Sequence, residues 1–274
     1  MNCKDATQFW RNVVVETTDF LQNDVVHLQI MRNVLFIVLI FVSQQLVHVQ
    51  DKNDSFRLNP HYKSDTTKFS YAPVINPPHF KEWIVPSFLV AYGLLAIHVD
   101  AFTDLNENMQ NLIWNKYPHN TVSIDNYLQF VPAAAVYGLN IAGIHGEHNF
   151  LDRSMIYILS NVIMNVTVFT IKNVSHEQRP NDDDYLSFPS GHTAEAFASA
   201  EFLMQEYKNV SVWYGIGGYA VAVCVAYLRM YNNEHWFSDV VAGAGIGIIS
   251  TRLAYILYPK IKKYFPIRRF QIPC

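Results

Sequence analysis

Charge is scarce in this 274-residue chain: Asp, Glu, Lys and Arg make up 16% of it, against roughly 25% in ordinary soluble domains. Lys plus Arg number 20 against 23 Asp plus Glu, a formal net charge of −3, so the basic surplus that marks a nucleic-acid binder is missing. Cysteine is scarcer still. The three residues, Cys3, Cys224 and Cys274, are odd in number and far apart, which excludes a disulfide framework and a zinc-ligand pattern. Cys224 lies inside an apolar run and reads as a small core residue. Internal repeats are absent as well. Disorder is excluded by a hydrophobic share of 50%, while a mean hydropathy of +0.05 neither establishes nor rejects a membrane protein.

Aromatic residues are plentiful, with 16 Tyr and 18 Phe, a composition suited to buried helices or a lipid interface. Near the N-terminus, Met31-Arg32-Asn33 precedes an apolar run from Val34 to Val42. A basic start before roughly 7–15 apolar residues is how an export signal is built, and the polar residues that follow keep the run short of a span. Translation starting at Met31 is one reading of its placement, and a short buried helix is the other. Residues 1–50 are therefore taken as an N-terminal extension with a signal-like or anchor segment. Residues 51–82, carrying Pro60, Pro73, Pro77 and Pro78, read as a polar linker. Residues 83–260 form one helical domain and 261–274 a basic tail.

The helical domain shows six apolar segments at Ile84–Val99, Val131–Ile144, Met155–Ile171, Thr193–Phe202, Val212–Leu228 and Phe237–Tyr258, with little strand alternation. The expected class is all-α. Gly215, Gly217, Gly218, Gly243, Gly245 and Gly247 sit inside the last two segments. No strand precedes them and no acidic ribose partner follows, so they are read as places where helix backbones approach, not as a dinucleotide loop.

Three polar clusters interrupt these helices. Lys172 is followed after six residues by Arg179-Pro180, offering a point charge and a planar fork for phosphate oxygens. Pro189-Ser190-Gly191-His192 opens the fourth segment, where a glycine N–H, a hydroxyl and a helix N-terminus favour an anion beside an imidazole. Arg229, His235 and Asp239 make the third. The last two, four residues apart, share a helical face, so the carboxylate can hold one ring nitrogen and leave the other free to attack. Singly, each cluster is also satisfied by a cap, a turn or a surface pair.

Together, in this order and spacing, they resemble the type 2 phosphatidate phosphatase superfamily, which includes bacterial acid phosphatases and vanadium haloperoxidases. Its pattern is Lys-x6-Arg-Pro, Pro-Ser-Gly-His and Ser-Arg-x5-His-x3-Asp. This chain departs from it only at Leu228, where the family has Ser. The resemblance implies a six-helix bundle and a metal-independent phosphatase with no cofactor. His235 would attack phosphorus and form a phosphohistidine, Asp239 would orient it, and His192 would protonate the leaving oxygen and later activate water. Lys172, Arg179, Ser190, Gly191 and Arg229 would hold the phosphate oxygens, and vanadate would inhibit there. The implied substrate is a phosphate monoester or pyrophosphate of an envelope lipid. The alternatives are a broad-specificity periplasmic acid phosphatase on soluble esters, a vanadium haloperoxidase, or a non-catalytic binder of phosphorylated ligands.

Other polar groups read more plainly. Asp182-Asp183-Asp184 is taken as solvated or as repelling wrong substrates, His145-Gly146-Glu147-His148 as an inter-helix loop, and His176 as exposed. Alternating the six segments puts all three clusters on one face. The opposite side collects Arg153, Lys208, Lys260, Lys262, Lys263, Arg268 and Arg269, which makes it cytoplasmic by the positive-inside rule. A site facing the periplasm of a bacterial envelope follows. Glu195, Glu201, Asn161, Asn165 and Arg252 are costly at membrane depth unless they face the bundle. Association with the inner membrane is the favoured reading, and a soluble, exported periplasmic bundle is the alternative.

Overall fold

A computed structural model of the protein describes residues 80–116 and 119–264. The signal-like segment, most of the linker and the last ten residues lie outside them. Every regular element among the described residues is a helix: α1 Phe80–Ala96, α2 Asp100–Gln110 running into a π-helical turn Asn111–Asn115, α3 Asp125–Leu128, α4 Val131–Ile141, α5 Phe150–Ser175, α6 Gly191–Tyr207, α7 Val212–Tyr231 and α8 Phe237–Tyr264. The six apolar segments correspond to α1 and α4–α8. The short helices α2 and α3, in the first inter-segment connection, are additions the apolar pattern did not show.

α6 is the axis of the bundle, packed by α4, α5, α7 and α8. From Thr193 to Tyr207 it is buried all round except at Gln205, as its run of Ala194, Ala196, Ala198 and Ala200 allows. α8 crosses it at glycines. A Cβ on Gly247 would lie 2.2 Å from the Ala194 carbonyl oxygen, and one on Gly243 would lie 2.6 Å from that of Ser190. The backbone-approach reading holds there, though not at Gly217, where a Cβ would meet nothing within 4 Å.

The carboxylates of α6 are paired inward. Glu201 meets Arg252 at 2.8 Å and also accepts from Tyr219. Glu206 accepts from Tyr255 at 2.7 Å and pairs with His148 at 2.8 Å. Hydrogen-bonded pairing is what makes such groups tolerable at depth. Arg153, expected among surface cations, is instead buried beside Glu206.

α5, α7 and α8 are each long and apolar enough to cross a membrane, with mean hydropathy of 1.6, 1.2 and 1.7. Ile158, Val162, Val166 and Phe169 form an exposed apolar stripe on α5, a surface suited to lipid. The protein is membrane-associated. The same outward exposure corrects the reading of Cys224, which is exposed on α7 and not in the core, because helix periodicity turns it away from buried Ala222 and Val225.

Candidate active site

The three polar clusters meet at one end of the bundle, where α5 and α7 end and α6 and α8 begin. α5 stops at His176, an exposed residue in the left-handed region at φ 46°. The loop that follows returns to α6, with Ser187 N donating to Glu177 O at 2.9 Å. Ser190 then caps α6, its Oγ accepting from Thr193 N at 3.4 Å and Thr193 Oγ1 at 3.0 Å. That leaves its own O–H proton to donate. Ser190 N donates to the Asp239 carbonyl at 3.1 Å, tying the starts of α6 and α8 together.

α2 fastens this end from the side. Asn106 exchanges two hydrogen bonds with Ser238, of 2.9 and 3.0 Å. Gln110 Nε2 donates to Pro180 O at 3.1 Å and to Asn233 Oδ1 at 3.0 Å, so one side chain spans both loops. Trp236 Nε1 adds a 2.8 Å bond to Gln178 O.

His235 and Asp239 are both buried, with His235 Nδ1 3.2 Å from Asp239 Oδ2. The same oxygen accepts from Ser187 Oγ at 2.5 Å and Trp236 N at 2.9 Å. With Oδ2 accepting, Nδ1 carries the ring proton and Nε2 keeps the lone pair. Burial holds the His235 pKa well below the ordinary 6.5, and the charges of Arg229, Lys172, Arg179 and His192 push it the same way. The ring is therefore neutral and nucleophilic at neutral pH.

His192 Nε2 lies 2.8 Å from Asn126 Oδ1. An amide oxygen only accepts, so Nε2 carries the proton. Its pKa is pushed down to about 4, first by burial and then by Arg229, with Asp125 acting in the opposite direction.

Arg179 and Arg229 are bridged by a carboxylate. Glu234 Oε2 lies 2.5 Å from Arg179 Nη1 and 3.2 Å from Arg229 Nη2. Arg179 Nε also meets Asp184 at 2.8 Å, and Arg229 Nη1 meets buried Asp125 at 2.7 Å. Arg229 Nε is buried with no hydrogen-bond partner among the described residues, a donor left over for a ligand oxygen. Lys172 Nζ donates to Ser187 O at 3.1 Å and to Leu186 O, so in this state it holds the loop. Asp182 and Asp183 are exposed as expected, while Asp184 is an ion-pair partner and not a solvated group.

Residues 153–263 match the family model of the PAP2 superfamily, and every motif residue from Lys172 to Asp239 falls inside that range. This part of the chain is thus similar to the PAP2 superfamily. A relative from Porphyromonas gingivalis named lipid A 1-phosphatase is 34% identical over 168 residues, which cover 61% of this chain and 36% of the relative. An undecaprenyl-diphosphatase from Sulfolobus acidocaldarius is 34% identical over 86 residues, covering 31% and 40%. The chain thus spans well under two thirds of the length of the curated relatives it matches. Among solved structures, LpxE of Aquifex aeolicus is similar at 23% identity and a TM-score of 0.44, over 56% of this chain and 95% of that one.

The site has partners that the motifs alone did not show. Ser187, Asp125, Asn126 and Glu234 all touch motif residues. Ser187 sits three residues ahead of Ser190 in the same turn, and Glu234 precedes His235 directly, so their closeness was readable though their partners were not. Asp125 and Asn126 carried no signal, because they arrive from a short polar helix about a hundred residues away in sequence from Arg229.

Proposed function

We propose that this protein is a metal-independent phosphatase acting on phosphate monoesters or pyrophosphates of envelope lipids. The observation that carries the reading is the convergence of the His235–Asp239 pair, His192 and two arginines at one buried bundle end. Such a cage stabilises charge on equatorial oxygens with fixed cations and N–H dipoles. The names of the Porphyromonas gingivalis and Sulfolobus acidocaldarius relatives support a lipid-borne phosphate, as do the three apolar helices.

In the first step His235 Nε2 forms a bond to phosphorus as the ester P–O bond breaks. His192, protonated in the complex, gives its proton to the departing oxygen, and the alcohol leaves. Neutral His192 then takes a proton from water, whose oxygen attacks phosphorus as the N–P bond breaks. Phosphate is released and His235 returns to its starting form. Arg179, Arg229, Ser190 and the Gly191 N–H hold the non-bridging oxygens, with Lys172 recruited from its loop carbonyls. No metal is required of this scheme, so EDTA leaves the rate unchanged and vanadate inhibits. Lys208, Lys262 and Lys263 at the far helix ends support a reading in which that end is cytoplasmic and the site lies on the outer face.

The deciding experiment is phosphate release by the full chain in detergent, with alkali-quenched label transfer from a 32P-lipid. His235→Ala should cut turnover by at least about 1,000-fold and abolish an acid-labile, base-stable phosphoprotein. Full activity in that variant, or label retained by it, would refute the mechanism.

A further inference from the structure

We infer that the cleft beyond His192 is a subsite for a polar leaving group, with Glu195 as its specificity-determining residue. The inference rests on the phosphatase reading above. A cleft of about 390 Å³ is lined by Gln129, Phe130, Asn161, Met164, Asn165, Gly191, His192 and Glu195. His192 is thus shared between the phosphate cage and the cleft, whereas Lys172, Arg179, Arg229 and His235 line none of it. In-line displacement puts the nucleophile and the departing oxygen at opposite apices of phosphorus. Whatever is attached to the oxygen that takes the His192 proton therefore extends away from His235, past His192.

One helical turn on from His192, on the same side of α6, stands Glu195. Its side chain is nearly enclosed, at 7% exposure. Oε1 accepts from Tyr157 OH at 2.6 Å and from Ser199 Oγ at 3.3 Å. These bonds fix the carboxylate in place while its second oxygen keeps acceptor capacity. Asn161 and Asn165 donate from Nδ2 to the carbonyls one turn back, at 3.1 and 2.9 Å, so each amide turns one hydrogen to the backbone and keeps its Oδ1 as an acceptor. Acceptors along a path at membrane depth disfavour a bare hydrocarbon and favour a ligand that brings donors. The ligand class is a head group with hydroxyl or amide N–H groups within about 5 Å of the ester oxygen, the rise of one helical turn. An acylamino-sugar 1-phosphate has that chemistry. An alkyl or prenyl phosphate lacks it.

The test compares kcat/KM of the full chain in one detergent for two probes, a 2-acylamino-2-deoxyglucose 1-phosphate bearing a dodecanoyl chain and dodecyl phosphate. The wild type should prefer the sugar ester. Glu195→Ala should lower the ratio of the two kcat/KM values by about 10-fold or more, the effect of one charge-assisted hydrogen bond. Glu195→Gln keeps the side chain's volume and an acceptor oxygen, and should lower the ratio by a smaller factor even if the alanine variant fails to fold. Tyr157→Phe, which unfastens the carboxylate, should shift the ratio in the same direction. No wild-type preference, or ratios within twofold of wild type in both Glu195 variants, would overturn the subsite while leaving the phosphatase standing. Release of phosphate from neither probe by the wild type would remove the phosphatase reading, and the subsite with it.

Discussion

Glu234 decides how the resting site differs from the occupied one. Its carboxylate bridges the two arginines that the mechanism assigns to phosphate oxygens, so an incoming phosphate competes with an anion the protein supplies itself. Its side chain is 32% exposed while that of Asp125 is 1% exposed, which makes Glu234 the partner able to swing into solvent. A half-exposed ion pair contributes roughly 1 kcal/mol or less. Glu234→Gln should therefore bind inorganic phosphate and vanadate about 3- to 5-fold more tightly, with a lower KM, measured by inhibition constants at fixed ionic strength. Weaker binding would show Glu234 holding the cage open instead. His192 gives a second residue-scale outcome. Burial and the Arg229 charge depress its pKa to about 4, so it is neutral in the empty site at pH 7. An anion in the cage favours imidazolium and raises that pKa. A 15N-histidine NMR titration should place the free-protein midpoint well below 6.5, and added phosphate should move it upward. By linkage the complex then takes up a proton between the two midpoints, so phosphate binds more tightly as pH falls through that window. A midpoint unmoved by phosphate would separate His192 from the anion.

At the scale of elements, α6 and α8 carry the site because glycine lets them touch. The Cβ of a Gly247→Ala variant would run into the Ala194 backbone, which cannot rotate away. The expected cost is about 1–3 kcal/mol, seen as a lower thermal midpoint in detergent together with reduced turnover, since Ser190 and Asp239 are joined through the same pair of helices. Gly217→Ala, with open space around it, should be neutral or slightly stabilising as the better helix former. This contrast also marks how far sequence reading reached. Apolar periodicity located α1 and α4–α8, since those helices announce themselves by their own composition. The motif spacings placed Lys172, Arg179, His192, Arg229, His235 and Asp239 at one end, because the number of helices between them fixes which end each loop occupies. What stayed hidden was long-range polar pairing. Asn106 on Ser238, Gln110 across two loops and Asn126 on His192 come from α2 and α3, whose polar sequences look like any surface segment. Hydropathy finds helices that bury apolar faces, and it is blind to a helix held by side-chain amides.

For the molecule as a whole, the sequence left a soluble bundle as the alternative to a membrane-associated one, and the distribution of exposed apolar surface separates them. Ile158, Val162, Val166 and Phe169 on α5 and Tyr227 on α7 point away from the bundle, whereas Glu201, Glu206 and Arg252 point into it. A soluble bundle would show the reverse arrangement, because water solvates charges and excludes wide apolar faces. Cys224 lies on the outward side of α7 and reports directly on what surrounds it. In a Cys3→Ser, Cys274→Ser background, the remaining thiol should resist a charged, membrane-impermeant maleimide in intact vesicles. A hydrophobic maleimide should reach it there only slowly, because the thiolate that reacts is disfavoured in hydrocarbon. Once detergent or denaturant admits water, both reagents should react. A control cysteine at Asp183, exposed in the loop beside Arg179, should accept the charged reagent at once from whichever side the site faces, which fixes the orientation in the same experiment. Fast modification of Cys224 by the charged reagent in intact vesicles would mean that water bathes the outer face of α7. The apolar stripe on α5 would then need a protein neighbour, not a bilayer, to cover it.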